Sequence, residues 1–239
     1  MSEFNSSATA GTLLLIGASR GLGHAMAAEF VQLGWHVVGT VRGSGQRTLL
    51  HDLADAHKGR VEIETLDICE PEQLAALHTR LSGRVFDMLF VNAGTNNQRP
   101  TETIGQVSTE DFLHVMITNA LSPMRVIERL ENFVAATGTI GVMSSGRGSI
   151  GNNDSGAEEL YRGSKAALNM FMRSYAARNA GSSRALVLMA PGWVRTALGG
   201  PGARLSLEES VPSLVNILLS MRNAPGLRYV DYLGRTVPW

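Results

Sequence analysis

Tyr161 and Lys165 stand four residues apart in the run Tyr161-Arg162-Gly163-Ser164-Lys165-Ala166-Ala167-Leu168. On a helix that separation puts both side chains on one face, a single turn apart. An ammonium held beside a phenol favours the phenolate, so Lys165 is expected to draw the Tyr161 pKa down from about 10. A tyrosine adjusted in this way gives or takes a proton near neutral pH. By itself the pair is also what a solvated helix carries by chance. A second motif lends it weight: Gly17-Ala18-Ser19-Arg20-Gly21-Leu22-Gly23 follows an apolar run directly and opens a helical pattern. That placement points helix-terminal N–H groups and the positive end of the helix dipole at a pyrophosphate. One motif offers a proton and the other a phosphate cradle.

The elements that must position these groups alternate along the chain. Short apolar runs predict strands over 12–16, 36–41, 61–66, 88–91, 139–143 and 185–189, with a last short strand at Tyr229-Val230. Helical spacing of apolar residues predicts helices over about 21–33, 70–81, 109–136, 158–179 and 206–221. Strand–helix alternation implies an α/β fold with a doubly wound, mostly parallel sheet of about seven strands between two helical layers. With no repeat, linker or break in composition, residues 12–239 read as one dinucleotide-binding and catalytic domain, and 1–11 as a frayed N-terminal tail.

Bulk properties narrow the partners. The 239 residues are 44% hydrophobic, enough for one sizeable core. Lys plus Arg and Asp plus Glu number 21 each, and no basic cluster points to nucleic acid or an anionic membrane as a partner. No apolar stretch approaches the roughly 20 residues of a membrane-spanning helix. The polar first residues do not resemble a signal peptide, and a lone Cys69 fits a reducing compartment, so a cytoplasmic location is expected. The six histidines lack metal-ligand spacing, and no metal site is expected.

Further motifs fall in a telling order: Asp67-Ile68 after the third strand, Asn92-Ala93-Gly94 after the fourth, and Asn119 in the long helix that follows. Ser144-Ser145 comes after the fifth strand, and Pro191-Gly192-Trp193-Val194-Arg195-Thr196 after the sixth. With the glycine loop and the Tyr161/Lys165 pair, this series resembles the compact form of the short-chain dehydrogenase/reductase family over nearly the whole chain. The pattern is most similar to its sniffer-like carbonyl reductase and C-factor subgroup. Two departures stand out. Fifteen residues separate Ser145 from Tyr161, a little more than usual, with the surplus near Asn152–Gly156, and Val91 stands where many relatives carry an extra asparagine.

The resemblance implies a Rossmann fold and an oxidoreductase that interconverts a carbonyl and an alcohol by hydride transfer. It implies Asn119, Ser145, Tyr161 and Lys165 as the catalytic set. It implies cofactor contacts from Gly17, Ser19, Arg20, Gly21, Leu22, Gly23, Arg42, Asp67, Ile68, Asn92, Ala93, Gly94, Tyr161, Lys165, Pro191, Gly192, Val194 and Thr196. In this reading Ser145 and Tyr161 meet the carbonyl oxygen, Lys165 also holds the nicotinamide ribose, and Asn119 anchors a water of the proton relay. Plainer roles also fit: Ser144-Ser145 as a strand-end turn, Asn119 as a helix kink, Asp67 as a cap for the next helix, and Trp193 as packing. A dinucleotide-binding redox sensor or signalling protein without turnover is the alternative of a different class. The intact Asn119–Ser145–Tyr161–Lys165 set favours the enzyme. The longer epimerase or dehydratase form is not expected, since it uses a different glycine spacing and adds a substrate domain for which 239 residues leave no room.

An absence bears on the cofactor. NAD sites place a carboxylate on the ribose hydroxyls about 20 residues beyond the glycine loop. From Phe30 through His51 there is no Asp or Glu, whereas Arg20 and Arg42 flank that position. Two guanidinium groups suit a 2′-phosphate, so NADP(H) is expected over NAD(H). The substrate pocket should be walled by segments following Gly94, Ser145 and Trp193, with Asn96, Asn97, Arg147 and Arg204 available to a polar or anionic group and residues 198–204 as a lid. Surplus apolar residues on two helices, Phe112, Met116, Met170, Phe171 and Met172, together with the family resemblance, imply a homodimer or homotetramer.

Overall fold

The computed structural model describes residues 10–43 and 45–239. Most of the expected tail therefore lies outside the described residues. Gly11 at its end is tied to the sheet, its carbonyl accepting from the His36 N–H at 2.9 Å.

Seven strands form one all-parallel sheet in the order β3-β2-β1-β4-β5-β6-β7. They are β1 (Thr12–Ile16), β2 (His36–Val41), β3 (Val61–Thr65), β4 (Phe86–Val91), β5 (Val134–Met143), β6 (Ala185–Ala190) and β7 (Gly226–Asp231). The helices are α1 (Gly21–Gln32), α2 (Leu49–Ala56), α3 (Pro71–Arg80), α4 (Thr109–Met116), α5 (Ser122–Leu130), α6 (Glu159–Arg178) and α7 (Leu207–Ser220). The strand order reverses between β1 and β4, the place where open α/β sheets leave a crevice for a ligand.

A sheet covered on both faces explains why its inner strands β1, β4 and β6 are apolar at almost every position. Side chains alternate between two cores. Leu14, Ile16, Leu89, Val91, Ile140 and Val142 face α3, α5 and α6. Leu13, Leu15, Met88 and Phe90 face α1, α2 and α7. Phe90 fills its layer because its register partner in β5 is Gly141, where an added Cβ would come within 2.5 Å of the ring.

Three elements differ from the sequence expectation. The helix expected over 109–136 is broken: α4 runs into a π-helical turn, Ile117–Leu121, then α5, and ends in a 3₁₀ turn at Glu131–Phe133. Strand β5 starts at Val134, because pairing of Val134 with Phe86 overrides the helical propensity of Ala135 and Ala136. Helix α2 has an apolar stripe at Leu49, Leu50 and Leu53 but is only eight residues long, too short to stand out as periodic, and it is started by a cap in which the Thr48 N–H donates to His51 Nδ1 at 3.1 Å. Met172, expected among the surplus apolar residues, is fully buried, while Phe112, Met170 and Phe171 are exposed.

Phe90→Ala should leave a cavity between β4 and β5 that this tight layer cannot collapse. We expect a loss of roughly 3–5 kcal/mol in unfolding free energy from urea titration; a loss below about 1 kcal/mol would contradict this packing.

Candidate active site

The glycine loop and the end of β4 are locked together at the switch point. The Asn92 side-chain amide donates to the Gly17 carbonyl at 2.8 Å, and the Asn92 and Ala93 N–H groups both donate to the Ile16 carbonyl. Gly17 has φ +86°, and a Cβ there would lie 2.9 Å from the Ala93 nitrogen. A Cβ on Gly23 would stand 2.0 Å from the Gly17 oxygen and 2.6 Å from the Asn92 amide. These glycines are therefore required by close approach of backbone, and not only by the turn. Gly21, also at positive φ, opens α1, and a Cβ there would lie 3.6 Å from the Thr196 methyl, an ordinary contact. Leu22 packs on the core beneath the loop.

Beside this loop lies a cavity of about 660 Å³ lined by Ser19, Arg20, Val41, Arg42 and the segment leading into α2. Among the described residues no ion pair engages Arg20 or Arg42, whereas Arg47 on the same wall is held by Asp52 and Asp55 at 2.8 and 2.7 Å. Asp67 makes local bonds: its carboxylate accepts from the Cys69 N–H, and its own N–H donates to Gln73, which fits the capping role. The Ile68 side chain is turned into the core.

The proton-carrying residues gather where β4 and β5 end. Ser145 opens a 3₁₀ turn at Gly146–Gly148, its hydroxyl accepting from the Arg147 N–H and its carbonyl from the Tyr229 hydroxyl. Ser144 points the other way, donating to Asn169 at 2.6 Å, so Ser145 alone of the two faces the site. The Ser145 side chain faces the Tyr161 phenol, where it favours the phenolate. Lys165 is buried; its Nζ donates to the Met143 carbonyl at 2.9 Å and lies 5.8 Å from the Tyr161 ring centroid. Gly94 closes the group: a Cβ there would sit 3.3 Å from Asn119 Oδ1 and 3.5 Å from Lys165 Nζ.

Asn119 occupies the π-helical turn, a distortion found mostly at functional sites. Its Oδ1 accepts from the Thr95 N–H at 2.8 Å, and its Nδ2 donates to the Thr95 carbonyl and to Ser164 Oγ at 2.9 and 3.0 Å. Ser164 in turn donates to the Tyr161 carbonyl. The asparagine therefore braces the strand-end loop against the helix that bears Tyr161.

The electrostatics correct one expectation. Burial of its hydroxyl pushes Tyr161 up to about 12, outweighing the favourable Ser145 and Arg147. Lys165 is not among the groups that set it: its Nζ donates to the Met143 carbonyl, and burial lowers the ammonium itself to about 8. At neutral pH both groups hold their protons.

On the far side, the Pro191 carbonyl accepts from Ser210, Gly192 has φ +82°, and Val194 is buried in a bridge to Leu205. Arg195 ties the returning chain by donating to the Ala203 and Arg204 carbonyls at 3.1 Å, and Trp193 donates to Gly199 at 2.8 Å. The segment expected as a lid is thus pinned to its own base. Residue patterns did not point to Tyr229, Ser164, Asn169 or Thr40. Thr40 Oγ1 accepts from the Gly17 N–H at 2.9 Å, and a buried hydroxyl in an apolar strand was the available signal.

A glycine loop at a strand-order switch, with a half-buried tyrosine and a buried lysine at the neighbouring strand ends, defines a Rossmann-fold oxidoreductase. Comparison with known proteins gives the particular lineage. A family model described as enoyl-(acyl carrier protein) reductase matches residues 17–210, and the chain belongs to the short-chain dehydrogenase/reductase family. It is 67% identical to a Burkholderia multivorans short-chain dehydrogenase/reductase solved with bound NADP, with a TM-score of 0.94 over 95% of this chain and 99% of the other. A carbonyl reductase of Pseudomonas aeruginosa in complex with NADP is 32% identical, with a TM-score of 0.89 over 97% and 100% of the two chains. The C-signal protein of Myxococcus xanthus is 32% identical across 70% of this chain and its own full length.

The buried lysine makes stability depend on pH. A lysine with a folded-state pKa near 8, against 10.5 when free, opposes folding while it must stay charged. Between those values the unfolded chain binds more protons, so this term makes stability rise with pH. Lys165→Met removes the titration. Its stability relative to wild type should be greatest below pH 8 and shrink toward pH 10.5. Urea unfolding at roughly pH 7 and pH 10 reads this, and a constant difference would refute it.

Proposed function

We propose that this protein is an NADP(H)-dependent carbonyl reductase with Tyr161 as the general acid. The observation that carries the reading is the convergence of Ser145, Tyr161 and Lys165 on one strand-end site beside the Gly17–Asn92 seam. The residues fit a dinucleotide, since the glycine loop opens α1 at the strand-order switch and the cavity beside it is lined by Arg20 and Arg42, which no ion pair engages among the described residues. A bound reduced nicotinamide dinucleotide supplies the hydride. Gly17, Ser19, Gly21 and Gly23 would hold its pyrophosphate, Arg20 and Arg42 a 2′-phosphate, and Asn92 to Gly94 with Pro191 to Thr196 its nicotinamide half. The two relatives solved with NADP support the choice of cofactor.

Ser145 and Tyr161 present hydroxyls to a carbonyl oxygen as negative charge grows on it. A tyrosine that keeps its proton at neutral pH is suited to giving it up to that oxygen. Lys165, charged at neutral pH, is placed to neutralise the phenolate that remains and to hold the ribose. Asn119 holds the loop and helix in register, and its Oδ1 keeps a second lone pair for a relay water. The exposed Phe112, Met170 and Phe171 support a homodimer, and the lone Cys69 supports a cytoplasmic setting.

The test is NADPH consumption with a panel of aldehydes, ketones and one enoyl thioester; turnover of the thioester alone would replace carbonyl reduction with double-bond reduction. Tyr161→Phe should lower turnover at least about a hundredfold with cofactor affinity nearly intact. Retention of more than about a tenth of the activity would remove Tyr161 from the acid role. Arg42→Ala should raise the Michaelis constant for NADPH about 10- to 100-fold, the loss of one charge-assisted contact, and leave that for NADH almost unchanged. Equal losses with both cofactors would disprove the phosphate contact.

A further inference from the structure

The rim of the site holds an ion pair that the proposed reaction does not use. Arg147 lies in the turn after Ser145, and Glu158 leads into α6 three residues before Tyr161. The Arg147 guanidinium contacts the Glu158 carboxylate, with the two side chains 36% and 26% exposed. The Glu158 Oε2 oxygen is itself out of solvent and receives no hydrogen bond among the described residues, so Arg147 is its counter-charge. Both charges act on the Tyr161 phenol, in opposite directions. The backbone is committed to this arrangement: Glu158 has φ 60° and ψ 47°, a left-handed conformation that a residue with a side chain adopts at a cost. Glu159 next to it accepts from the Ile104 N–H at 2.9 Å, bringing the loop after β4 to the same helix start.

Residue type alone makes Asn96, Asn97, Arg147 and Arg204 candidates to bind an anionic substrate. In the structure the Asn97 amide is given to the Arg99 carbonyl, Asn96 accepts from the Asn97 N–H, and Arg204 lies exposed on the pinned flap. Arg147 is the guanidinium whose charge reaches Tyr161, and Glu158 already holds it. An anionic substrate approaching Tyr161 would find the guanidinium already neutralised by Glu158, so its desolvation is offset by no free cation, whereas an uncharged one has no such charge to desolvate. We propose that Glu158, paired with Arg147, is the charge filter of the substrate site, admitting uncharged carbonyl compounds and rejecting those with a carboxylate near the reacting group. Leaving the wrong partner's charge desolvated and unpaired is a recognised route to specificity.

This proposal rests on the carbonyl-reductase reading, and one experiment separates the two. Aldehydes from the activity panel are compared in pairs, each neutral methyl ester against its free carboxylate, with methyl 4-formylbenzoate and 4-formylbenzoate as one pair. In wild type the ester should exceed the carboxylate in kcat/KM by at least about tenfold, mainly through KM. Glu158→Gln should narrow that ratio about tenfold by leaving Arg147 free, while Arg147→Gln should widen it by exposing Glu158. A merely structural role would lower both members of a pair alike. Equal wild-type rates within pairs, or the two variants moving the ratio in the same direction, would overturn the filter while leaving the reductase standing. Absence of turnover with every pair and every other aldehyde would overturn both.

Discussion

The seam between β1 and β4 is the constraint on which the site depends. Asn92 reaches across the strand-order switch to the Gly17 carbonyl, and that bond is possible only because Gly23 carries no Cβ. One amide thus sets the position of the phosphate loop relative to the strand that leads to Gly94. Gly94 borders Asn119 and Lys165, so the same seam also sets the distance from the cofactor cradle to the proton-carrying groups. A buried amide bound to a carbonyl contributes about 1 kcal/mol in itself. Its larger effect is geometric, because hydride transfer between two separately held groups tolerates little displacement.

Around that seam, polar side chains are satisfied by backbone drawn from distant parts of the chain. Asn119 holds Thr95 by both its N–H and its carbonyl, Ser164 links it to the Tyr161 backbone, and Tyr229 from the last strand holds the Ser145 carbonyl. Lys165 rests on the Met143 carbonyl at the end of β5. Apart from the Ser164–Tyr161 bond, which lies within α6, each of these bonds crosses from one element to another. The site is therefore rigid through tertiary contacts, and the π-helical turn that admits Asn119 is part of what that rigidity requires.

Much of this was legible in residue order. The seven strands appear as apolar runs because a doubly covered sheet demands it, and the motifs fall at their C-terminal ends because the fold places its ligands there. What was not legible depends on contacts between distant residues. A π turn has no sequence period of its own, and Ala135 and Ala136 read as helix until β4 pairs with the chain before them. Helix α2 is only eight residues, too short for its apolar stripe to declare a helical period. The direction of the Tyr161 shift could not be read either. Spacing places Lys165 on the correct face, but only the fold reveals that its ammonium is engaged by Met143 and that burial dominates the phenol.

That last difference bears on how such a pair works. If the lysine lowered the tyrosine pKa in the resting site, the enzyme would hold a partly ionised phenol and lose donors at high pH. Here the phenol stays protonated and the ammonium waits behind it, drawn toward a backbone carbonyl of partial charge only. In the proposed reaction, Tyr161 giving up its proton would leave a full negative charge within reach of a buried cation whose competing partner is weaker. The attraction is therefore greatest after the proton has moved, which is the condition for an interaction to accelerate the step and not merely to bind the reactants. Burial, which raises the phenol and lowers the ammonium, sharpens that contrast by removing the water that would screen it.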